Sequence, residues 1–279
     1  MSADAIAYPL SWRIIAAVLI AISRGGVLLL LALVLVSHVQ IPPLMLMRAF
    51  TIVAIAPATA AWLVARAFAV TARIADGQLV LEQRERRIEI PCSAITRLTA
   101  WTIPVPGAGL WLWLRSGRRF RYGLQIADPT ALLEALAAAG GPAEGRAVVE
   151  HPSVIYARAK PSHRRWYHAL LKFVGFAFLV TLPLFRVHQY IAYGGTFGEY
   201  YLLGLQAYLI TFGIYWGTLT IYLVLYAALW RALAEVVAFA TAWLAPSRAA
   251  RVRRAVEVVY RVLYYGGVPV LVTLRLVPW

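Results

Sequence analysis

The chain has 279 residues, of which 62% are hydrophobic and 14% are charged. This composition excludes an ordinary soluble domain and is typical of a protein with several membrane spans. The net charge of +15 comes almost entirely from arginine. In a membrane protein such an excess indicates topology and contact with anionic headgroups. We expect no nucleic-acid partner, because helix-turn-helix and zinc-finger spacings are absent.

Residues 1–69 are predicted to form an N-terminal transmembrane hairpin. Its two hydrophobic segments, 12–39 and 44–65, are joined by a short loop at 38–43 without lysine or arginine. Arg24 interrupts the first segment. Either one helix carries a snorkelling or buried Arg24, or an interfacial helix precedes a span that starts near this residue.

Residues 70–141 form a polar island between hydrophobic regions. Asp76-Gly77 and Ser116-Gly117 are turn signals, and Trp101, Trp111 and Trp113 lie in segments with strand character. Strand character is predicted over 71–84, on either side of the turn at 76–77, and near 87–91, 94–102, 109–115 and 120–126.

A helix is predicted to close the island. Asp128 is its expected N-cap, Pro129 suits the first helical position, and Gly140 stops the helix. Several antiparallel strands followed by one helix predict a small barrel or bent sheet plugged by that helix.

The island resembles the bacterial PH-like domain of YcxB-like and related membrane proteins. The resemblance rests on Asp76-Gly77-Gln78-Leu79 and on Ile90-Pro91-Cys92-Ser93-Ala94-Ile95, which is similar to the family's Ile-Pro-x-x-x-Ile pattern. It covers residues 71–141, and it implies a PH-like fold of a kind that hosts lipid binding, peptide binding and scaffolding alike.

The rest of the chain is predicted to return to the membrane. Residues 142–168 form a basic linker, with a strand at 154–158, and residues 169–279 form a C-terminal transmembrane region. Spans are predicted at 169–185 and 201–230, and residues 256–277 form either a kinked fifth span or an interfacial hairpin. The expected fold is therefore membrane α-helical, with four to five transmembrane helices and an inserted cytoplasmic PH-like β domain closed by a C-terminal helix.

The charge distribution predicts the orientation. Fourteen arginines and two lysines lie from Arg66 through Lys172, whereas the loops at 38–43 and 187–200 contain none. The positive-inside rule then places the N-terminus and the PH-like domain in the cytoplasm of a multi-pass protein of the bacterial inner (cytoplasmic) membrane.

The fourth span carries a candidate partner-binding face. Its tyrosines recur every seven residues and so share one side of a helix, beside a Gly-x-x-x-Gly pair that permits close helix contact. This face either packs internally or docks another membrane-protein subunit; a cofactor or substrate channel is a further alternative. The candidate residues are Tyr201, Tyr208, Gly213, Tyr215, Gly217 and Tyr222.

Arginine clusters form a second candidate site. They bracket a hairpin turn at 116–117, with a further group at Arg84, Arg86 and Arg87, and two more arginines precede the third span. The turns either are simply solvated beside the membrane or form a basic surface for anionic lipid headgroups or an acidic partner. The candidate residues are Arg115, Arg118, Arg119, Arg121, Arg164 and Arg165.

No catalytic constellation is present, and we predict no catalytic residue, no metal site and no cofactor. The five histidines are accompanied by no cysteine or carboxylate cluster. The sequence favours a non-enzymatic accessory, assembly or anchoring subunit of an inner-membrane complex. The alternative is anionic-lipid recognition or handling at the cytoplasmic membrane surface, and the third is a transport subunit with Arg24 or Arg48 lining a path.

Overall fold

The computed structural model describes residues 2–36, 41–83, 86–142, 145–159 and 166–276. In chain order the strands are β1 (Ser2–Pro9), β2 (Ala69–Ala75), β3 (Gln78–Gln83), β4 (Arg86–Pro91), β5 (Ile95–Ala100), β6 (Gly109–Leu114) and β7 (Tyr122–Gln125). The helices are α1 (Leu10–Val36), α2 (Pro43–Ala67), α3 (Thr130–Ala138), α4 (Gly145–Val149), α5 (Pro152–Arg158), α6 (Tyr167–Tyr193), α7 (Gly198–Leu244) and α8 (Ala249–Leu276).

Four of these helices, α1, α2, α6 and α7, are long and apolar enough to cross a membrane. Together with a seven-stranded antiparallel sheet, these helices agree with the coarser part of the prediction, a mostly helical chain with apolar helices and a β domain. Helix α8, which contains the predicted fifth span, is not among the four found in the described residues. Its first half carries several arginines, which lower its mean hydropathy.

The chain divides into two compact units. The sheet unit consists of Met1–Ser23, Pro57–Pro161 and Glu235–Ala255, and the helical unit consists of Arg24–Ala56, Ser162–Ala234 and Val256–Trp279. The sheet unit contains all seven strands, and the helical unit contains most of the apolar helix length.

The sheet contains a strand that the sequence analysis did not predict. All neighbouring strands are antiparallel, in the order β4-β3-β2-β1-β7-β6-β5. Strand β1 therefore lies at the centre of the sheet, with Ala5 paired to Val70 and Ile6 to Gln125. The sheet extends beyond the predicted domain of 70–141, and α1 and α2 are an insertion between its first two strands.

The predicted turn at 76–77 and the closing helix agree with the structure, although the helix begins at Thr130, one residue later than predicted. Asp76 and Gly77 have φ values of 52° and 70°, the left-handed conformation that a tight hairpin between β2 and β3 requires. Asp128 Oδ1 accepts a hydrogen bond from Thr130 N at 3.0 Å, at the start of α3. Gly140, with a φ of 83°, follows the end of this helix.

The core of the sheet unit lies between the strands and α3. Helix α3 contributes three leucines to a cluster of buried side chains from all seven strands and from the two short helices after it. The cluster includes Ala7, Ala72, Leu81, Leu110, Leu124, Leu132, Leu133, Leu136, Val148 and Val154.

The predicted strand at 154–158 is wrong, because this segment is helix α5. Pro152 fits the first helical turn, and the His151 side chain accepts a hydrogen bond from Ser153 N as its cap. Val154 is buried against the sheet core. The β-branched residues here suggested a strand, but the capping residues before them and burial of one helical face determine the outcome.

Candidate functional site

Two arginines and two tryptophans form one cluster in the sheet unit, which we call the tryptophan–arginine cluster. The ring centroids of Trp101 and Trp111 are 5.6 Å apart. The Arg13 guanidinium carbon lies 3.8 Å from the Trp101 ring centroid and 5.3 Å from that of Trp111. The Arg119 guanidinium carbon lies 4.1 Å from the Trp111 centroid. Two guanidinium groups, those of Arg13 and Arg119, therefore contact the Trp111 ring.

Glycines on the neighbouring strands make room for the two indoles. A Cβ on Gly123 would lie 2.7 Å from Trp111 Cζ3 and 2.8 Å from Trp101 Cζ2. A Cβ on Gly109 would lie 2.8 Å from Trp101 atoms and 2.6 Å from a backbone oxygen. Because side chains at these positions would collide with the rings, glycine is required for the indoles to lie against the sheet.

The position of Arg13 is fixed by the burial of its neighbours. Trp101 is buried in a cluster with Tyr8 of β1 and Ala16 of α1. Ala16 follows Arg13 by about one helical turn, so the two residues share a face of α1. Packing of that face against Trp101 brings the guanidinium onto the indole.

The cluster carries two positive charges that no described acidic residue neutralises. In the described part of the chain, neither Arg13 nor Arg119 makes an ion pair. Arg13 lies in the first turn of α1, where the helix dipole disfavours a positive charge. Trp101 Nε1 is buried without a hydrogen-bond partner among the described residues. An anion with several acceptor oxygens is the kind of ligand that would stabilise both guanidiniums.

Four of the six predicted arginines lie around one turn, and one of the four belongs to the cluster. Arg115, Arg118, Arg119 and Arg121 are all exposed around the turn between β6 and β7, and Arg119 alone of them stacks on Trp111. Arg164 and Arg165 lie outside the described residues, as does Arg84.

In the other predicted arginine group, Arg86 is exposed, and Arg87 lies 2.6 Å from a Glu89 carboxylate oxygen. The positive charge of that group is therefore partly neutralised. The residue that the sequence analysis missed is Arg13, whose contact with Trp101 joins distant parts of the chain.

The predicted tyrosine face of α7 is divided in the structure. The Tyr208 ring lies 5.1 Å from that of Phe185, and the Tyr215 ring lies 4.8 Å from that of His188. Both tyrosines thus pack against α6 within the helical unit. Tyr201 is exposed and precedes a break in the helix at Gly204.

The remaining residues of that face differ in their surroundings. Tyr222 and Gly213 are exposed, and a Cβ on Gly213 would have no atom within 4 Å. A Cβ on Gly217 would lie 2.9 Å from Met47 Cε, so this glycine permits a close contact with α2. Arg24 and Arg48, the residues of the transport hypothesis, are both exposed on the helical unit.

A second cluster of polar side chains, missed in the sequence, joins three helices inside the sheet unit. The Tyr156 hydroxyl donates a hydrogen bond to the Glu235 carboxylate. Arg253 Nη2 donates to the other carboxylate oxygen at 3.0 Å. Glu235 comes from α7 and Arg253 from α8, so the carboxylate connects α5 to both long helices.

Alkaline pH is expected to loosen this connection. Burial, and then the Glu235 carboxylate, raise the pKa of Tyr156 from 10.0 to about 12. The folded protein holds the Tyr156 phenol neutral. The contribution of this group to folding stability is therefore fully present below pH 10 and is lost as pH rises to about 12. Thermal unfolding measured from pH 8 to 12 should show this loss. The Tyr156→Phe variant should lose less stability over that range; an identical pH dependence in both proteins would contradict the assignment.

Comparison with known proteins returns no relative from which a function could be transferred. No family model, no curated protein and no solved structure matches the chain.

Proposed function

We propose that this chain is a multi-pass protein of the bacterial inner membrane that recognises a phosphate-bearing anionic lipid headgroup at the cytoplasmic surface. The tryptophan–arginine cluster carries the proposal. Two guanidiniums approach one indole, and no described acidic residue pairs with either. Arginine forms bidentate hydrogen bonds with phosphate, which makes it suited to this ligand.

The location of Arg13 supports a lipid rather than a soluble anion. Arg13 lies in the first turn of α1, one of the four apolar helices, and therefore where that helix would enter a membrane. The preceding Trp12 is exposed, and its ring lies 5.6 Å from that of Phe68, just after α2. Tryptophan is enriched at the level of lipid headgroups. A phosphate bound between Arg13 and Arg119 would thus lie at that level.

The exposed arginines beside the cluster add a longer-range attraction. Arg115, Arg118 and Arg121 present three further positive charges around the same turn. Each basic residue near an anionic membrane surface contributes about 1 kcal/mol, and the attraction extends over about one Debye length. These arginines would raise the local concentration of anionic lipid, whereas Arg13 and Arg119 would bind one headgroup.

The architecture of the sheet unit supports the proposed PH-like fold. Seven antiparallel strands are followed directly by helix α3, in agreement with the strand-then-helix order of the resemblance. The sequence reading began this domain near residue 70, and β1 supplies the additional central strand. The charge excess between Arg66 and Lys172 supports a cytoplasmic location.

Subunit docking through α7, the first choice from sequence, stays a prediction. Tyr208 and Tyr215 contact α6, so replacing them would disturb packing within the chain as well as any interface. The exposed Tyr222 and Gly213 are the residues through which that hypothesis is best examined.

Native mass spectrometry tests the lipid proposal. The full chain is transferred into nanodiscs that contain neutral and anionic phospholipids, and the lipids retained after release are counted. The unmodified protein should retain an anionic phospholipid, and the double variant Arg13→Gln, Arg119→Gln should lose it. Each lost charge-assisted hydrogen bond contributes about 1.5–3 kcal/mol, so we expect the affinity to fall about tenfold or more.

The matched control removes the same number of charges elsewhere on the sheet unit. Arg86 and Arg97 are exposed and contact neither indole, so the Arg86→Gln, Arg97→Gln variant should keep the lipid. Equal retention by both double variants would contradict the proposal. So would a co-purified polypeptide or soluble phosphate compound that the cluster variant alone loses.

A further inference from the structure

The beginning of helix α7 folds back on the rest of the helix. Glu199 Oε1 accepts a hydrogen bond from Thr211 Oγ1 at 2.6 Å, although the residues are 12 positions apart. In a straight helix their Cα atoms would be about 18 Å apart, too far for these two side chains to meet. The break is at Gly204, whose φ of 83° and ψ of 173° lie outside the helical region and favour glycine.

The polar end of this segment is held by three side chains, which we call the Glu199 latch: Gln189, Glu199 and Thr211. Gln189 Nε2 donates to Glu199 Oε2 at 2.6 Å, and Glu199 N donates to Gln189 Oε1 at 3.2 Å. Glu199 is 2% exposed and Gln189 is 0% exposed. Both carboxylate oxygens are thus hydrogen-bonded, which offsets part of the cost of burying this group.

The Glu199 latch is the main polar anchor in an otherwise apolar region. Glu199 is the only acidic or basic residue between Arg186 and Arg231, histidine apart. A buried carboxylate is unfavourable in such surroundings, so its position requires the specific donors of Gln189 and Thr211.

The side chains beyond the latch point outward. The segment exposes a continuous series of large apolar and aromatic residues, with Leu202 70% exposed. A patch of this kind is costly in water and marks a surface with a partner. Its members are Tyr200, Tyr201, Leu202, Leu203 and Leu205.

We propose that residues 198–205 form a membrane-embedded segment whose apolar side chains contact lipid and whose polar end is fixed by the Glu199 latch. The neighbouring elements indicate lipid as the contact: the segment begins α7 and is separated from α6 by a short loop, and both helices are apolar enough to cross a membrane. It contains no arginine or lysine that would favour an aqueous loop. Tyrosine and leucine together suit the boundary between headgroups and acyl chains.

Site-directed spin labelling tests this proposal. A nitroxide is attached to Leu202→Cys in the reconstituted full chain, and its collisions with oxygen and with a water-soluble nickel complex are measured. Lipid contact predicts frequent collisions with oxygen and few with nickel. Frequent nickel collisions would indicate an aqueous loop, and few collisions with either would indicate a protein contact; both would overturn the proposal.

The chain offers its own controls. Cys92 is buried and should react only slowly, so the unmodified protein, treated in the same way, serves as the blank. Gly195→Cys places a label in the open loop before the segment, where a Cβ would meet no atom within 4 Å, and should show frequent nickel collisions.

A second set of variants tests the latch. Adding Glu199→Ala to Leu202→Cys should release the segment and raise nickel collisions severalfold, and Thr211→Val should have a smaller effect. Unchanged collisions in both variants would overturn the role of the Glu199 latch, whatever the lipid-retention experiment shows for the tryptophan–arginine cluster.

Discussion

Replacing Glu235 by alanine is expected to destabilise the sheet unit by about 2–3 kcal/mol. The substitution removes the acceptor of both Tyr156 and Arg253. The Arg253 side chain is 8% exposed and that of Glu235 is 24% exposed. Because the arginine would lose its carboxylate in a nearly buried position, the cost exceeds that of a surface ion pair. Because Glu235 is only partly buried, we expect the destabilisation to be smaller than for a fully buried ion pair.

The measurement is thermal unfolding of the purified full chain in detergent. We expect the melting temperature to fall by roughly 5–10 °C. Limited proteolysis should show earlier cleavage around α5, since the carboxylate links that helix to α7 and α8.

Two variants calibrate the effect. Tyr156→Phe keeps the edge contact between this ring and Phe239, at 5.5 Å, and removes only the hydroxyl, so we expect a cost of about 1 kcal/mol. Glu134 is exposed on α3, and Glu134→Ala should change stability by less than about 0.5 kcal/mol. If the Glu235→Ala and Glu134→Ala variants have the same melting temperature, the Glu235 carboxylate does not hold these helices together.

The sequence predicted best the elements whose signals are local. The hairpin at Asp76-Gly77 follows from two residues that tolerate a left-handed backbone. The boundaries of α3 follow from Asp128 and Gly140, and four apolar helices follow from composition alone. Each of these depends on interactions within a few residues, which a single sequence displays directly.

Strand β1 could not be predicted in this way. Its inward residues Ala5 and Ala7 are small, so it lacks the alternation of large apolar and polar residues that marks a strand. Its pairing partners lie more than 60 residues away, beyond the α1–α2 insertion. Pairing over such a distance is a property of the assembled sheet rather than of the segment.

For the same reason, only some residues of the candidate site could be predicted from the sequence. Arg119 was identified because it lies beside a recognisable hairpin turn, whereas the tryptophans were noted only as residues of predicted strands. Arg13 was hidden in an apolar segment, and the Glu199 latch was hidden because a carboxylate at the edge of a span suggests a loop residue. The roles of Arg13 and Glu199 depend on contacts with Trp101 and Thr211, which are distant in the sequence.

Introducing a carboxylate at Ala7 is expected to unfold the sheet. Ala7 is 5% exposed, its N–H donates to Phe68 O at 2.9 Å, and it lies opposite Leu124. An aspartate there would be buried among apolar side chains between two neighbouring strands. The cost of burying an unpaired charge is several kcal/mol, which is comparable to the whole stability of a typical domain.

Cys92 provides the readout, because it is the only cysteine and is 0% exposed in the same core. In the unmodified chain its thiol should react with a maleimide slowly, and in Ala7→Asp it should react at the rate of the denatured protein. Asp4 belongs to the same strand but is exposed, so Asp4→Ala should leave the thiol protected. Protection of Cys92 in Ala7→Asp would mean that residues 70–141 form the domain without β1. Rapid labelling would show that the strand before the α1–α2 insertion and the strands after it fold as one sheet.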